Sequence, residues 1–469
     1  MKFNHPHGVL ALVVQAVFFA LFCVFVRYHP DANARHHPLV NGTEHEEHLD
    51  HDYKSEDSAN HNKMYPMFQD VHVMIFIGFG FLMMFLKRYG LSAVGLNFMV
   101  AALCLQWAIL VNGFFHLHDG LILVDLNTLL GADFTSAAVL ISFGALIGKT
   151  TPTQLILLTL LEVPIFAVNE VIGRRYFGAV DIGDSMFVHA FGAYFGLAAS
   201  LIMYRRDAST EKEGSSHQSD MFAMIGTVFL WVYWPSFNGG AASGDAQLRC
   251  IINTYISLIA CCFTTFAISS IINREKKFDM VHIQNSTLAG GVAIGTAADL
   301  MIHPWGAVLV GILAATLSVC GYVYITPMMA SRLRIHDTCG VHNLHGMPGV
   351  FAGIVGAILA AVASEATYGV SLYVVFPERA PPEGSAALAD LQKVLPDLAG
   401  GSGISGTSQA LYQLLALVVS IAFAVAGGIV AGFILRLFGN LKTEELYEDE
   451  KWWVMEEEEG EEEHRPATA

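Results

Sequence analysis

Two histidines, His189 and His345, lie inside long apolar stretches of the sequence, where an ionisable side chain is costly to bury. His189 follows Asp181 by eight residues, and His345 follows Asp337 by the same interval. Because a helix rises about 1.5 Å per residue, each histidine is expected roughly 12 Å inside its segment. Two facing imidazoles can hydrogen-bond a small neutral molecule, or relay a proton because histidine titrates near neutrality.

A metal centre or a disulfide framework is not predicted. Four further histidines, His72, His116, His118 and His282, lie near the ends of apolar segments, and no His-x-x-x-His or Cys/His cluster accompanies the pair. The seven cysteines are odd in number, lack Cys-x-x-Cys spacing and lie almost entirely in apolar segments. We expect small buried thiols and no cofactor.

The elements that position the two histidines are predicted to be membrane helices. Of the 469 residues 54% are hydrophobic and 14% are charged, whereas a soluble protein has about 25% charged residues. Continuous apolar runs without period-two alternation indicate helices rather than barrel strands. Twelve runs have about the 20 residues that a span needs: 8–27, 66–86, 92–115, 130–148, 152–173, 181–204, 219–238, 249–272, 280–302, 304–329, 337–363 and 407–437.

The predicted fold class is therefore all-α, a polytopic membrane protein of about twelve helices. This composition excludes a soluble enzyme, and the net charge of −17 argues against a nucleic-acid partner. The run 8–27 could be a signal peptide, because Ala32-Asn33-Ala34 resembles a cleavage site, but it exceeds the usual h-region of about 7–15 residues. We predict that it is a helix.

Lys and Arg in the loops predict the orientation in the lipid bilayer. With the N-terminus (1–7) inside, sixteen of these cations fall on the inner side and nine on the outer side, so both termini are expected to be cytoplasmic. The outer loop 28–65 then carries a glycosylation sequon at Asn41. The outer loop 364–406, rich in Gly, Ser and Pro, is expected to be irregular.

Most of the negative charge belongs to two appendages. The loop 28–65 has a net charge of −5, and the tail 440–469 has a net charge of −9. The region 8–437 is therefore predicted to be a nearly neutral transport domain, followed by an acidic cytoplasmic tail over 438–469. We expect the tail to be a solvated run, in which Trp452-Trp453 could dock a cytoplasmic partner.

The segments that carry the two histidines run in opposite directions, and each histidine is followed by closely spaced glycines. Matching segments of opposite orientation are typical of an inverted repeat, with the binding site at the interface between the two halves.

Four long strings resemble the Rh glycoprotein branch of the ammonium transporter superfamily. They are DIGDSM leading into HAFGAYFG (181–196), WVYWPSFN (231–238), DMVHIQNSTLAGG (279–291) and DTCGVHNLHG (337–346), and the resemblance runs from about residue 5 to 440. It implies a homotrimer in the plasma membrane, with one ammonia-conducting pore per subunit.

The resemblance also implies roles for individual residues. His189 and His345 match the paired pore histidines, and Phe134 and Phe237 match the stacked outer aromatics. Asp181 matches the acid of the outer recruitment site, and Asp279 matches an inner vestibular acid. Glu170 matches an acid between vestibule and pore. Taken alone, the phenylalanines are packing residues, Asp181 is a helix cap, and Glu170 is an i,i+4 partner of Arg174.

The function that follows is passive ammonia transport, in which ammonium loses its proton at the vestibule and ammonia crosses a hydrophobic pore lined by the two histidines. Electrogenic ammonium transport, carbon dioxide conduction and a non-transporting sensor or scaffold stay open as alternatives. ATP-driven pumping is not expected, because no phosphate-binding loop is present. An intramembrane enzyme is not expected either, because the sequence lacks Gly-x-Ser-x-Gly and His-Glu-x-x-His motifs.

Overall fold

The structure is a computed structural model, and it describes residues 6–33, 56–206 and 211–455. Three predicted features lie outside the described residues: the sequon at Asn41, most of the acidic outer loop, and the run of glutamates that begins at Glu456.

Each of the twelve predicted segments contains helix, and all but 280–302 are continuous helices. Their observed bounds are α1 (Pro6–Phe25), α2 (Met64–Phe85, extended back to Glu56), α3 (Gly90–Phe114), α4 (Leu126–Leu146), α5 (Pro152–Tyr176), α6 (Ser185–Ile202), α7 (His217–Gly239), α8 (Gly244–Ile272), α9 (280–295), α10 (His303–Leu333), α11 (His342–Val362) and α12 (Gly406–Arg436). Ten of them, all except α7 and α9, have the length and hydropathy of a membrane span.

The prediction of one continuous helix over 280–302 is wrong. α9 consists of two short helices, Met280–Ser286 and Ala289–Gly295, and the chain beyond them is a series of turns. At the break the backbone bonds change to i,i+3: the Leu288 nitrogen donates to the Asn285 oxygen at 3.0 Å, and the Gly291 nitrogen donates to the Leu288 oxygen at 2.9 Å.

The chain order places the two histidine helices in equivalent positions. α6 is the fifth helix of the set α2–α6, and α11 is the fifth helix of the set α7–α11. Because five is an odd number of crossings, the second set enters from the opposite face, as the predicted inverted repeat requires. α1 packs outside both sets against α3 and α5, and most of its apolar side chains are exposed.

Glycines allow the helices around the histidines to approach until their backbones are in contact. A Cβ atom at Gly226 of α7 would lie 2.0 Å from the Leu82 nitrogen and 2.6 Å from the Gly78 oxygen of α2. A Cβ atom at Gly192 of α6 would lie 2.5 Å from the Ala138 oxygen of α4. Such close crossings increase the van der Waals contact between membrane helices. That contact stabilises the bundle, because in lipid the hydrophobic effect does not favour helix association.

The bundle has two distinct ends, here named the loop face and the tail face. The loop face carries a short parallel pair of strands, β1 (Val26–Tyr28) and β2 (Ile122–Val124), and the connection before α12. The prediction that this connection is irregular is wrong in part, because it contains three short helices, Glu365–Tyr368, Leu372–Val375 and Ala386–Gln392. Leu372 and Val375 of the second helix pack in a buried cluster with Ala297, Leu300 and Ala360 of the bundle. Leu388 of the third helix is buried as well.

The tail face carries residues 437–455, here named the tail segment. Its Asp449 side chain accepts hydrogen bonds from the backbone nitrogens of Leu91 (2.9 Å) and Ser92 (2.7 Å) and so caps α3. Leu446 and Tyr447 are fully buried. The prediction of a solvated run is therefore wrong for this part of the tail, because apolar side chains alternate with the acids and anchor it.

The two tail tryptophans contact their own chain. Trp453 donates to the Ser92 hydroxyl at 2.9 Å, and its ring lies so close to Gly95 that a Cβ atom there would be 2.3 Å away. Trp452 meets the His7 ring edge-on at 5.8 Å, which places both ends of the described chain at the same face.

Candidate functional site

His189 and His345 meet in the interior of the bundle. The two rings are nearly parallel, with centroids 5.1 Å apart and planes 11° apart, and the two Nδ1 atoms are 3.1 Å apart. The side chains are buried, with 1% and 4% of their surface exposed. The structure thus brings together the two residues that the sequence singled out, although they are 156 positions apart.

The contact between the two Nδ1 atoms restricts where protons can be. One Nδ1 must donate and the other must accept, so a neutral pair contains one tautomer of each kind. The ring whose Nδ1 donates has an accepting Nε2, and the other ring has a donating Nε2. The Nε2 atom of His189 is buried and has no partner among the described residues. The pair therefore offers a donor and an acceptor to a small molecule that can do both.

Aromatic rings continue from the pair towards the loop face. Phe237 of α7 lies 5.3 Å from the His189 ring, and Phe134 of α4 meets Phe237 at 4.8 Å and 62°. Trp234 stacks on His189 at 5.6 Å. Both phenylalanines are buried, so together they close the approach from the loop face.

The tail side of the pair is narrow and apolar. Phe79 of α2 stacks against His345 at 6.3 Å and 15°. Beyond it lies a cavity of about 20 Å³, which has room for about one molecule the size of water. Its lining residues are Phe79, Leu82, Met83, Phe85, Leu140, Ile141, Gly144, Asn285, Cys339, Val341, Leu344 and His345. We name the series Phe134, Phe237, His189, His345 and Phe79 the ring column.

Asp181 is buried, and four donors inside the protein satisfy its carboxylate. It accepts from the backbone nitrogens of residues 185–187 at 2.8–3.1 Å and from the Thr296 hydroxyl at 2.6 Å. It therefore caps the helix that carries His189. The structure places its carboxylate in this cap and not in contact with the ring column.

Glu170 lies at the loop-face end of α5, in an ion pair. Its carboxylate accepts from Arg174 Nε at 2.9 Å, which confirms the predicted i,i+4 contact. Arg174 also forms an ion pair with Asp184 and lies 5.2 Å over the Phe187 ring. Glu170 and Asp184 thus share one guanidinium beside the start of the His189 helix.

Asp279 caps the first part of α9 at the tail face. Its Oδ1 accepts from the Val281 nitrogen at 2.9 Å, and its own nitrogen donates to the Ser269 hydroxyl at 3.1 Å. The carboxylate is half-buried at this surface. It lies at the end of the bundle that the ring column approaches through the narrow cavity.

Sequence reasoning missed several residues that the structure places at the site. Phe79 and Trp234 each stack on one histidine, and neither was singled out among many aromatics. It also missed the contact between His72 of α2 and Asp133 of α4, whose Nδ1 and Oδ1 atoms are 3.0 Å apart. The acid directly before Phe134 was the available signal. Within residues 6–33, 56–206 and 211–455, no group of three His, Cys, Asp or Glu residues could hold a metal ion.

With this geometry in place, comparison with known proteins identifies the family. A family model described as Ammonium Transporter Family matches residues 50–459. The chain belongs to the ammonium transporter family. Its relatives in that family are transporters and channels, and the chain is accordingly a multi-pass membrane transporter or channel and not an enzyme.

Within the ammonium transporter family, the chain is similar to Rh-type members. It is 48% identical over 453 residues to ammonium transporter Rh type B of Xenopus tropicalis, covering 95% of this chain and 92% of that protein. It is 47% identical over 457 residues to ammonium transporter Rh type C of Homo sapiens, covering 95% and 89%.

Solved structures of the family share the fold. Nitrosomonas europaea Rh50, a channel of the Rhesus protein family, superposes with a TM-score of 0.70 at 30% identity and covers 85% of this chain and 93% of its own. Saccharomyces cerevisiae Mep2 superposes with a TM-score of 0.61 at 21% identity, covering 80% and 84%, and supports the fold alone.

Proposed function

We propose that this protein conducts ammonia passively across the plasma membrane. Ammonium gathers at the loop face, loses a proton on entering the ring column, crosses as ammonia, and regains a proton at the tail face. The observation that carries the proposal is the buried histidine pair, which presents one donor and one acceptor between apolar rings. Ammonia, which both donates and accepts, matches that arrangement.

The apolar walls explain why the transported species is neutral. Moving an ion out of water into such surroundings costs several kcal/mol or more without a fixed counter-charge. The column offers rings, which attract a cation at their faces by only about 0.5–2 kcal/mol. Phe134 and Phe237 therefore suit a cation at their outer side, and the histidine pair suits the gas beyond them.

The loop face is proposed to be extracellular and the tail face cytoplasmic. The excess of Lys and Arg in the loops of the tail face supports this orientation. Flow then follows the gradients of ammonia and of protons in either direction. In this orientation Asn41 lies on the outer side, where glycosylation stays a prediction.

A homotrimer is the assembly we propose, because the resemblance to Rh proteins implies it. The bundle also leaves an apolar stripe along α8 that lipid or a neighbouring subunit must cover. Its members are more than 40% exposed and recur at helical spacing: Leu248, Ile252, Tyr255, Ile259 and Phe263.

One observation supports electrogenic ammonium transport as a second candidate. The Nδ1 atoms of the histidine pair are within hydrogen-bond distance, so a proton taken up by one ring can pass to the other. Currents that saturate with ammonium at fixed internal pH would favour this mechanism over a neutral channel. Carbon dioxide conduction and a sensor role stay alternatives without a supporting contact.

Flux through purified protein in liposomes tests the proposal. An inward ammonia gradient should raise the pH of the lumen faster with wild-type protein than with lipid alone. His189→Ala and His345→Ala should each lower that rate by about tenfold, because each removes a hydrogen-bonding group worth about 1 kcal/mol and leaves its partner unpaired. His217→Ala, at an exposed position on the tail face, is the matched control. Unchanged rates in both pore variants would refute the role of the pair.

A further inference from the structure

A second pair of ionisable side chains lies beside the ring column. Asp133 of α4 is fully buried, and His72 of α2 is its only hydrogen-bond partner among the described residues, with Nδ1 at 3.0 and 3.2 Å from the two carboxylate oxygens. The His72 side chain is 42% exposed. The pair therefore joins the interior of the bundle to its surface.

Sequence position and helix geometry place this pair on the loop-face side of the histidine pair. His72 precedes Phe79 by seven residues of α2 and so lies about 10 Å nearer the loop face. Phe79 is the ring that stacks on His345. Asp133 directly precedes Phe134, the outermost member of the ring column.

Two carboxylates of the described chain lie near His72: Asp133, and Asp70 two residues earlier on α2. The rings of Phe68 and Phe76 flank the imidazole at 5.3 and 4.8 Å. α7, which packs against α2, has its ionisable Asp220 and His217 at the tail face, and its Ser236 donates to Asp70 of α2. α3, next to Phe76, contains no Asp, Glu, Lys, Arg or His.

A purely structural role does not account for Asp133. Buried carboxylates that act as caps collect several donors, as Asp181 does with four. Asp133 has one imidazole, which leaves most of its acceptor capacity unused in an apolar setting and costs stability. A carboxylate that binds Nδ1 of a histidine fixes the ring and its tautomer and makes Nε2 the better base.

We propose that His72, oriented by Asp133, is the base that takes the proton from ammonium at the entrance of the ring column. This inference rests on the proposed ammonia conduction. The N–H bond of ammonium breaks, its electron pair stays on nitrogen, and the proton binds Nε2 of His72. Ammonia continues inward, the imidazolium is held beside the Asp133 carboxylate, and the proton then leaves to water at the loop face.

The inference predicts a specific dependence on external pH. At a fixed concentration of dissolved ammonia, lowering the outside pH raises ammonium alone. Wild-type flux should then rise while the His72 imidazole is neutral, because ammonium feeds the column through it, and should fall again once the outside pH is low enough to protonate the imidazole. In His72→Gln and Asp133→Asn the rise with falling outside pH should be lost at fixed dissolved ammonia, because the base that accepts the proton is absent or no longer oriented.

The experiment is stopped-flow measurement of lumenal pH in proteoliposomes at several outside pH values. His118→Gln, an exposed histidine at the loop face, is the matched control and should keep the wild-type profile. If Asp133→Asn does not fold, His72→Gln at its half-exposed position still decides the question. A wild-type pH profile in His72→Gln would overturn this inference alone, whereas wild-type protein without flux at any pH would overturn the proposed conduction itself.

Discussion

Asp337 holds the helix of one pore histidine in the same way that Asp181 holds the helix of the other. Asp337 accepts from the nitrogens of Val341 (3.0 Å) and His342 (2.9 Å), and Asp181 accepts from those of residues 185–187. Each aspartate lies eight residues before its histidine. In both halves of the protein an aspartate cap thus fixes the start of the helix, and with it how far inside the bundle the histidine lies.

Removal of the Asp337 cap should loosen the His345 helix. Asp337→Ala leaves two backbone N–H groups without their acceptor and should lower the free energy of unfolding by about 1–2 kcal/mol. Asp337→Asn keeps one acceptor oxygen and should lose less. The melting temperature in detergent and the liposome flux report the two effects, and equal melting temperatures for Ala and wild type would contradict the capping role.

The cap that the tail segment supplies can be tested at two adjacent acids. Asp449→Ala should destabilise the protein by about 1 kcal/mol, because Leu91 and Ser92 lose their acceptor. The neighbouring Glu450 is exposed, so Glu450→Ala removes the same charge and is the control. A similar loss of melting temperature in both variants would indicate a charge effect rather than a cap.

The crossing of α2 and α7 should tolerate no added methyl group. Gly226→Ala places a Cβ atom 2.0 Å from the Leu82 nitrogen, so the helices must separate, and we expect about 1–3 kcal/mol of destabilisation. At Gly131 of α4 nothing lies within 4 Å of the added atom. Gly131→Ala should therefore be neutral or stabilising by a few tenths of a kcal/mol. Comparing the two melting temperatures checks the crossing.

Lys149, in the tail-face turn between α4 and α5, should make the free energy of unfolding increase with pH. Its ammonium donates to the backbone oxygens of Ala145 (2.8 Å) and His336 (2.7 Å), and burial lowers its pKa from 10.5 to about 8. The unfolded chain holds this proton up to about pH 10.5, so between pH 8 and 10.5 it binds more protons than the folded protein.

In that window the melting temperature of wild type should therefore rise relative to that of Lys149→Met. Below pH 8 the difference between the two proteins should be constant, because both folded and unfolded states keep the proton. A difference that stays flat from pH 7 to 10, measured in one detergent and at one salt concentration, would contradict the lowered pKa.

The sequence predicted the parts of this fold that repeat a simple rule. Eleven of the twelve apolar runs are continuous helices, because a bilayer demands about twenty apolar residues per crossing and leaves few alternatives. The meeting of His189 and His345 was within reach for a related reason. Equal spacing from a capping acid fixes equal depth, and an odd number of intervening crossings inverts the second segment.

The rest depends on contacts that no periodicity reveals. The rotation of α2 about its own axis determines which of its phenylalanines stacks on His345, and this residue is Phe79. The break in α9 is a local change to i,i+3 backbone hydrogen bonds at Leu288 and Gly291, which the apolar pattern does not show. Asp181 matches a recruitment acid by resemblance. Its donors, however, are the backbone nitrogens at the start of α6 and the hydroxyl of Thr296 just after α9, and only the assembled bundle shows them.

The position of Asp449 also bears on how the protein is made. A ribosome synthesises α3 early and the tail segment some 350 residues later, yet the start of α3 is capped by that late segment. Until then the first turn of α3 is unfinished, and the surface over Gly95 lacks its Trp453 cover. A chain that ends before Asp449, through a nonsense codon or a protease, therefore lacks the cap of a helix more than 300 residues earlier in the sequence.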